Sequence, residues 1–470
     1  MFLVFSSLIF IFVFLPITFL LYFISPKKIK NLTILMVSLI FYGWGEPVYI
    51  YLMVFSIVFD YFASLLINKH RGNKKLAKRI FIITLIVNLG MLGFFKYFTF
   101  IIHNINYLFG LNIIVDNIPL PVGISFYTFQ ILSYVIDVYL KKVKVQKNII
   151  DFGAYVTMFP QLVAGPIVRY SDIAYQLKHR KENFNKFGDG VERFIIGLGK
   201  KVLIANNVGL IWINIKSMEF STLSIVSAWL GIIAFTLQIY FDFSGYSDMA
   251  IGLGKMFGFE FIENFNYPYT SKSVSEFWRR WHISLGSWFK EYIYIPLGGN
   301  RVSLIKQCRN LFIVWFATGL WHGASWNFIF WGLYFGFFIF LEKMFLGKVL
   351  QKFNGFVSNL YTMVIVIVSW VFFDIDKFNK AFDYLKVMFF LGHNKFIDKT
   401  FIYYFYTNFI LLTIAILCCT PIIGILHKNL KQRFTKKSAI IMASLLFGIL
   451  LLSTAYLINQ SFNPFLYFRF

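Results

Sequence analysis

The sequence predicts an all-α, polytopic integral membrane protein, with roughly ten to twelve transmembrane helices joined by re-entrant and interfacial pieces. The first observation behind this is composition: 58% of the 470 residues are hydrophobic, 21% are aromatic and only 14% are charged, and the mean hydropathy is +0.68, outside the range of soluble globular domains. The second is pattern, because apolar windows long enough to cross a bilayer recur along the chain. The third is charge, because the net +24 is carried by short basic clusters that fall between those windows.

Taken in order, the windows include Phe2 to Phe23, Ile80 to Phe100, Ser224 to Phe241, Phe401 to Leu426 and Ser438 to Leu457. Each is bounded by basic or turn-forming residues. The first lacks the basic start and small-residue cleavage site of a signal peptide, so it is expected to remain as a mature helix. The clusters PKKIK (26–30), NKHRGNKKLAKR (68–79), KKVKVQK (141–147), LKHRK (177–181) and HKNLKQRFTKK (427–437) follow the positive-inside pattern and are assigned to the cytoplasm. They have no interleaved stacking positions, so nucleic acid is not an expected partner; membrane lipids are. With these clusters inside, the amino terminus, the GWGEP turn (43–47) and the loop 103–117 fall outside, and the terminal SFNPFLYFRF is expected at the external surface. Residues 150–190 and 260–305 mix polar, aromatic and glycine residues and suit re-entrant or interfacial pieces. The whole of 1–470 is read as a single transmembrane domain, with N-terminal helices over 1–118, a motif-rich core at about 119–342 and C-terminal helices over 360–458. Cys308 and the adjacent Cys418 and Cys419 offer neither a disulfide framework nor a metal knuckle.

The candidate chemistry starts with GLWHGASW, Gly319 to Trp326. It lies in a run from Asn310 to Leu341 that contains no Asp, Glu, Lys or Arg. An unbroken helix over that run would be about 48 Å long against a hydrocarbon core of about 30 Å, so a break or turn is expected at Gly319, Gly323, Ala324, Ser325 and Asn327. Irregular backbone at that depth survives only when buried in protein or lining a wet cavity, which places His322 toward an interior. Gly319 and Gly323 also read as a small-xxx-small helix contact with His322 hydrogen-bonded across it. A desolvated imidazole stays neutral and has a nitrogen free to take a proton. That suits a general base acting on a hydroxyl and equally a proton relay in a transporter.

The second stretch is SKSVSEFWRRWHISLGSWFKEYIYIPLGGNR, 271–301. Ser273 and Glu276 have capping-box spacing and start a helix. Phe277, Trp281, Leu285, Trp288 and Tyr292 then share one face, Arg279, His282 and Lys290 lie elsewhere, and Pro296 with Gly298 and Gly299 ends the helix. Such a helix lies at the interface, with Arg279 and Arg280 on lipid phosphates, or walls a wet cavity. In YFDFSGYSDMAIGLGK (240–255), Asp242, Ser244, Tyr246 and Asp248 end an apolar window. The segment matches no phosphate loop, and no ligand pair has helical metal spacing, so no metal is expected.

Several of these phrases together resemble the membrane-bound O-acyltransferase (MBOAT) family: MFPQLVAGPIVRY (158–170), QIYFDFSGYSDMAIGLGKMFGFEFIENFNYPY (238–269), SVSEFWRRWHISLGSWFKEYIYIPLGGNR (273–301), ATGLWHGASWNFIFWGLYFG (317–336) and NPFLYFRF (463–470). Within the family they are similar to the bacterial alginate and peptidoglycan O-acetyltransferase branch. The resemblance implies helices around a central channel and transfer of an acetyl group across the bacterial cytoplasmic membrane. His322 would be the catalytic histidine, with His282 in support. Trp281, Arg279, Arg280, Trp321, Asn327, Asp242, Ser244, Tyr246 and Asp248 would serve the channel or the acyl donor. Acetyl-CoA would be the cytoplasmic donor substrate, with no bound cofactor. The chain shows no G-x-S-x-G elbow and no sizeable external domain, so a separate extracytoplasmic SGNH-type transferase is the expected partner and a polysaccharide hydroxyl the acceptor. Asp374 stands where relatives usually carry arginine, and FKEY (289–292) replaces a more usual Arg-Asp pair. D-alanyl transfer to teichoic acid and a precursor transporter or flippase are the alternative readings.

Overall fold

The computed structural model describes residues 3–116, 118–162, 165–432, 436–459 and 465–466. Their regular structure is helical: α1 (Leu15–Ile24), α2 (Lys30–Gly45), α3 (Ile50–Lys69), α4 (Lys74–Phe109), α5 (Ile124–Tyr139), α6 (Ile149–Thr157), α7 (Phe184–Lys216), α8 (Ile225–Met256), α9 (Val274–Arg280), α10 (Ile283–Phe289), α11 (Leu304–His322), α12 (Trp326–Leu341), α13 (Gly355–Asp374), α14 (Phe378–Met388), α15 (Lys399–Thr407), α16 (Phe409–Cys418), α17 (Pro421–Gln432) and α18 (Lys436–Asn459). The chain divides into two compact units, one of residues 1–194 and 247–262, the other of 195–246 and 263–470.

Seven of the described helices are long and apolar enough to cross a membrane, or eight if the bent pair α15 and α16 counts as one span. This is fewer than the ten to twelve expected, and helix geometry accounts for windows that do not pass as single long helices. The first window folds as a 15-residue apolar helix, Phe10–Ile24, about 22 Å long and short of a 30 Å core. The window 401–426 is not one helix. It bends by 65° between α15 and α16 and turns again before α17. Ile80 to Phe100, Ser224 to Phe241 and Ser438 to Leu457 lie inside α4, α8 and α18. Of 150–190, the described residues up to 179 form short helical pieces while 184–190 begin the long α7; of 260–305, the stretch 268–294 forms short pieces.

In the first unit, polar contacts tie the helix ends. Asn88 on α4 donates to the buried carboxylate of Asp60 on α3 at 2.8 Å. The Tyr22 hydroxyl donates to Glu182 at 2.6 Å, and Lys30 pairs with the same carboxylate at 3.1 Å. Arg180 reaches Tyr22 and Asn31. This latch holds the segment after α6 against α1 and α2, with Lys30 and Arg180 sharing the one Glu182 carboxylate.

The second unit is organised by the hairpin of α11 and α12. α11 ends at His322, residues 323–325 turn the chain, and Ser325 caps α12 by accepting from the Phe328 N–H. Both readings of the glycines hold in part. Gly323 occupies the turn, where a Cβ would run into the Phe328 ring, while Gly319 sits in a close helix contact whose partner is Gly332 across the hairpin. A Cβ on Gly332 would collide with the Trp315 carbonyl and lie 3.0 Å from Gly319 N and Cα. Gly332→Leu should therefore destabilise the protein by roughly 1–3 kcal/mol through overpacking. Gly93→Ala on α4, with nothing within 4 Å of the added carbon, should be neutral or stabilising by up to about 1 kcal/mol. Thermal unfolding of the purified variants in detergent measures both.

Candidate active site

The stretch 273–294 is not the continuous helix its periodicity suggests. Ser273 caps α9 through the Glu276 N–H, but the Glu276 carboxylate turns back to the Lys272 N–H, so the expected box is only half formed. The helix then breaks at Trp281-His282. His282 takes a left-handed conformation, φ 45°, which a side chain with a Cβ adopts at a cost and keeps only where its surroundings enforce it. The extended segment before α9 supplies that enforcement. Asn266 N–H donates to the Arg280 carbonyl, and Ile283 N–H donates to the Asn264 carbonyl, one on each side of the break. Phe277, Trp281, Leu285 and Trp288 are still buried as a set, because α10 resumes on the same side.

Two tethers place this broken helix against the hairpin. The first is Glu342, just past α12, whose buried carboxylate accepts from Val274 N–H at 2.6 Å, Ser275 N–H at 2.9 Å and Ser275 Oγ at 2.6 Å. It caps the first turn of α9, where a negative charge meets the unpaired N–H groups of the helix start. The second is an aromatic cluster. Trp278 contacts Trp315 and Trp331 with ring centroids 4.8 and 5.5 Å apart, and Trp281 lies 5.3 Å from Trp370 on α13.

His282 and His322 are brought together across one indole. Trp321 lies 5.8 Å from the His282 ring and 5.0 Å from the His322 ring. Both histidines are buried, at 1% and 2% exposure. His322 packs further against Trp331 and Phe373, and His282 against Phe243.

A cavity of about 1170 Å³ opens beside them, and His282 is on its wall. Along α11 its lining runs from Gln307 through Leu311 and Val314 to Thr318, about 16 Å of helix that stops one turn before His322. Lys272, Arg279, Lys290 and Lys343 contribute positive charge to it; Glu276 and Glu342 contribute negative charge, the latter already engaged by α9. The hairpin turn lies at the opposite end, where Asn327 Nδ2 donates to the Ile375 carbonyl at 2.5 Å.

The remaining expected residues divide. Arg279 is exposed and lines the cavity, whereas Arg280 pairs with Glu276 at 2.7 Å and is not on the wall. Trp281 is packed behind the wall. Asp242 forms a buried ion pair with Lys201 and accepts from the Leu466 N–H at 2.9 Å. Ser244 and Tyr246 are buried beside it, Tyr246 against Phe465 at 4.6 Å. Asp248 belongs to the other unit and pairs with Arg193 at 2.8 Å. None of Asp242, Ser244, Tyr246 or Asp248 lines this cavity; the carboxylates of Asp242 and Asp248 pair with Lys201 and Arg193. Of the terminal phrase, only Phe465 and Leu466 are among the described residues, and both are buried, at 1% and 6%. Sequence reading passed over Asn264 and Glu342. Glu342 had a visible signal, being the first charge after the uncharged run, while Asn264 had none apart from its place in the motif.

The chain matches the family model "MBOAT, membrane-bound O-acyltransferase family" over residues 139–379. It belongs to this family and is a multi-pass membrane O-acyltransferase. It is similar to the "Probable alginate O-acetylase AlgI" of Pseudomonas aeruginosa, 41% identical over 83% of this chain and 75% of that protein. It is also similar to the "Peptidoglycan O-acetyltransferase" of Helicobacter pylori, 37% identical over 82% and 80%. The "Teichoic acid D-alanyltransferase" of Bacillus subtilis is 27% identical over 52% and 64%.

Asp374 has its own local partners. Its carboxylate accepts from Trp212 Nε1 at 2.6 Å and pairs with Lys216 at 2.6 Å. Removing one partner of a mostly buried pair leaves an uncompensated charge. Lys216→Met should lower stability by about 3 kcal/mol, and adding Asp374→Leu to it should recover most of the loss, as read from the unfolding midpoints of the single and double variants.

Proposed function

We propose that this protein moves acetyl groups from cytoplasmic acetyl-CoA across the bacterial cytoplasmic membrane for attachment to hydroxyls of a cell-surface or secreted polysaccharide. A separate extracytoplasmic SGNH-type transferase receives the acetyl group and delivers it to the glycan. The observation that carries this reading is the cavity: one basic recess has His282 on its wall and runs along α11 to Thr318, one helical turn short of His322. Its volume is ample for a large anionic cosubstrate, and its four cations suit phosphate groups. The positive-inside rule puts that basic end in the cytoplasm and the hairpin turn toward the other face. The relatives named for alginate and peptidoglycan O-acetylation support acetyl as the acyl group and a polysaccharide as its destination.

In this reading the incoming hydroxyl and the thioester meet beside Trp321. The new C–O bond forms as the C–S bond breaks, His322 takes the hydroxyl proton, and the thiol leaves through the cavity. Burial among Trp321, Trp331 and Phe373 keeps water from competing for the acetyl group.

Vesicles carrying the protein and its partner transferase, supplied with labelled acetyl-CoA on the cytoplasmic face, test the assignment. His322→Ala should lower transfer by a factor on the order of 10²–10⁴, and His282→Ala should lower it partially. Equal transfer by wild type and His322→Ala would remove His322 from the chemistry. Sidedness has its own test. In a chain whose three cysteines are replaced by serine, Lys343→Cys should react with a membrane-impermeant thiol reagent in inverted vesicles and stay unlabelled in intact cells.

A further inference from the structure

The hydrogen bonds around His282 define which of its nitrogens carries the proton, and they converge on one atom. Asn264 Oδ1 accepts from the Ser284 backbone N–H at 3.2 Å and from Ser284 Oγ at 2.8 Å, and it lies 3.2 Å from His282 Nδ1. A backbone N–H can only donate, so the atom facing it must be the amide oxygen and not the amide nitrogen; the usual ambiguity of an asparagine flip is removed. Ser284 Oγ also lies 3.4 Å from Nδ1, but its single proton is used on Asn264 Oδ1 at 2.8 Å, so Nδ1, facing the amide oxygen, is the donor. In a neutral imidazole the lone pair then resides on Nε2.

The local backbone exists to make this contact. The left-handed turn at His282 places its ring against Asn264, and the pair of backbone bonds from Asn266 and Ile283 holds the asparagine in register with the break. Asn264, His282 and Ser284 are all buried, at 1%, 1% and 0% exposure. Among the described residues the Asn264 Nδ2 group has no hydrogen-bond partner, so this orientation is held at the expense of an unsatisfied donor.

We infer that Asn264 is a positioning residue that holds His282 in the Nδ1-protonated tautomer, so that the ring on the cavity wall meets the reaction as a proton acceptor at Nε2. This rests on the acetyl-transfer reading and extends it. The proton released by the hydroxyl has to reach the sulfur, which leaves on the cavity side. His322 takes it first, His282 accepts it on Nε2 while keeping Nδ1–H on Asn264, and the resulting imidazolium returns it to the thiolate as the C–S bond breaks. The net change is one C–O bond made, one C–S bond broken and one proton moved from oxygen to sulfur. A ring that began with Nε2–H could give a proton but could not first receive one there. The tautomer set by Asn264 is therefore the one a relay requires.

The test reads the tautomer directly. Imidazole ¹⁵N spectra of the histidine-labelled full-length protein contain seven histidines, and the His282 signals are those lost in His282→Gln. The wild type should show Nδ1 protonated and Nε2 bare. Asn264→Leu, which removes the acceptor at similar volume, should shift protonation to Nε2 and lower kcat as far as His282→Ala does, with the acetyl-CoA KM unchanged within about twofold. Asn264→Asp, which keeps an acceptor, should preserve the tautomer and most of kcat. Protonation at Nε2 in the wild type overturns the inference, and so does an unchanged tautomer in Asn264→Leu. The wild-type spectrum decides the first point even if the leucine variant does not fold, and the aspartate variant then decides the second, since a shifted tautomer there overturns the role of Asn264. If the wild type shows the expected tautomer but transfers no acetyl group from acetyl-CoA, the functional reading fails while the tautomer assignment stands.

Discussion

A bilayer offers no water to a broken helix, so every interruption must find its hydrogen-bond partners inside the protein. That constraint shapes the second unit. There are two interruptions near the candidate site, at 281–283 and at 323–325, and each presents one histidine. At the first, the segment 264–266 supplies a carbonyl and an N–H to the backbone on either side, and Glu342 completes the start of α9. At the second, Ser325 caps α12 and Asn327 is anchored to the Ile375 carbonyl. The first break is satisfied from another element, so His282 cannot shift without unpairing the segment 264–266; at the second the cap is local and Asn327 adds an anchor on a separate element. Rigid placement of two imidazoles is thus a by-product of meeting the backbone's own requirements.

Charge is handled in the same manner. Lys201 with Asp242, Lys216 with Asp374, and Arg193 with Asp248 each combine a basic group with a carboxylate that is buried or nearly so. Such pairs add little net stability, since desolvation offsets much of their attraction, but each holds two helical segments in a definite register. These three carboxylates lie off the cavity, whose wall carries four cations against two acids. The recess is consequently suited to an anion before any substrate is considered.

The sequence disclosed class and chemistry well and geometry less well. Composition and the basic clusters were sufficient for a helical membrane protein, and the length argument located the break after His322 to within a few residues. An apolar window does not reveal whether its helix bends, as at Asn408 between α15 and α16, or ends after fifteen residues, as at Ile24. Periodicity misled at 273–294 for a specific reason: a single residue with φ near 45° breaks the helix without changing which side chains are apolar, so the pattern continues across a discontinuity it cannot register. Sequence shows Asp242 and Asp248 as acids at the end of an apolar window, but not the lysine or arginine that folding delivers to them. Asn264 was invisible for the same reason, since its role depends on Ser284 and His282, twenty and eighteen residues away.

The triad of Trp212, Lys216 and Asp374 limits how this scaffold can be recombined. Two of its members come from the end of α7 and the third from the end of α13, 158 positions beyond Lys216. A chimera that imports either segment alone from a homologue with a different residue there would strand an ammonium or a carboxylate at a site with little access to solvent. Segment exchange within this fold has to transplant both helix ends together, a rule that contiguous sequence blocks do not announce.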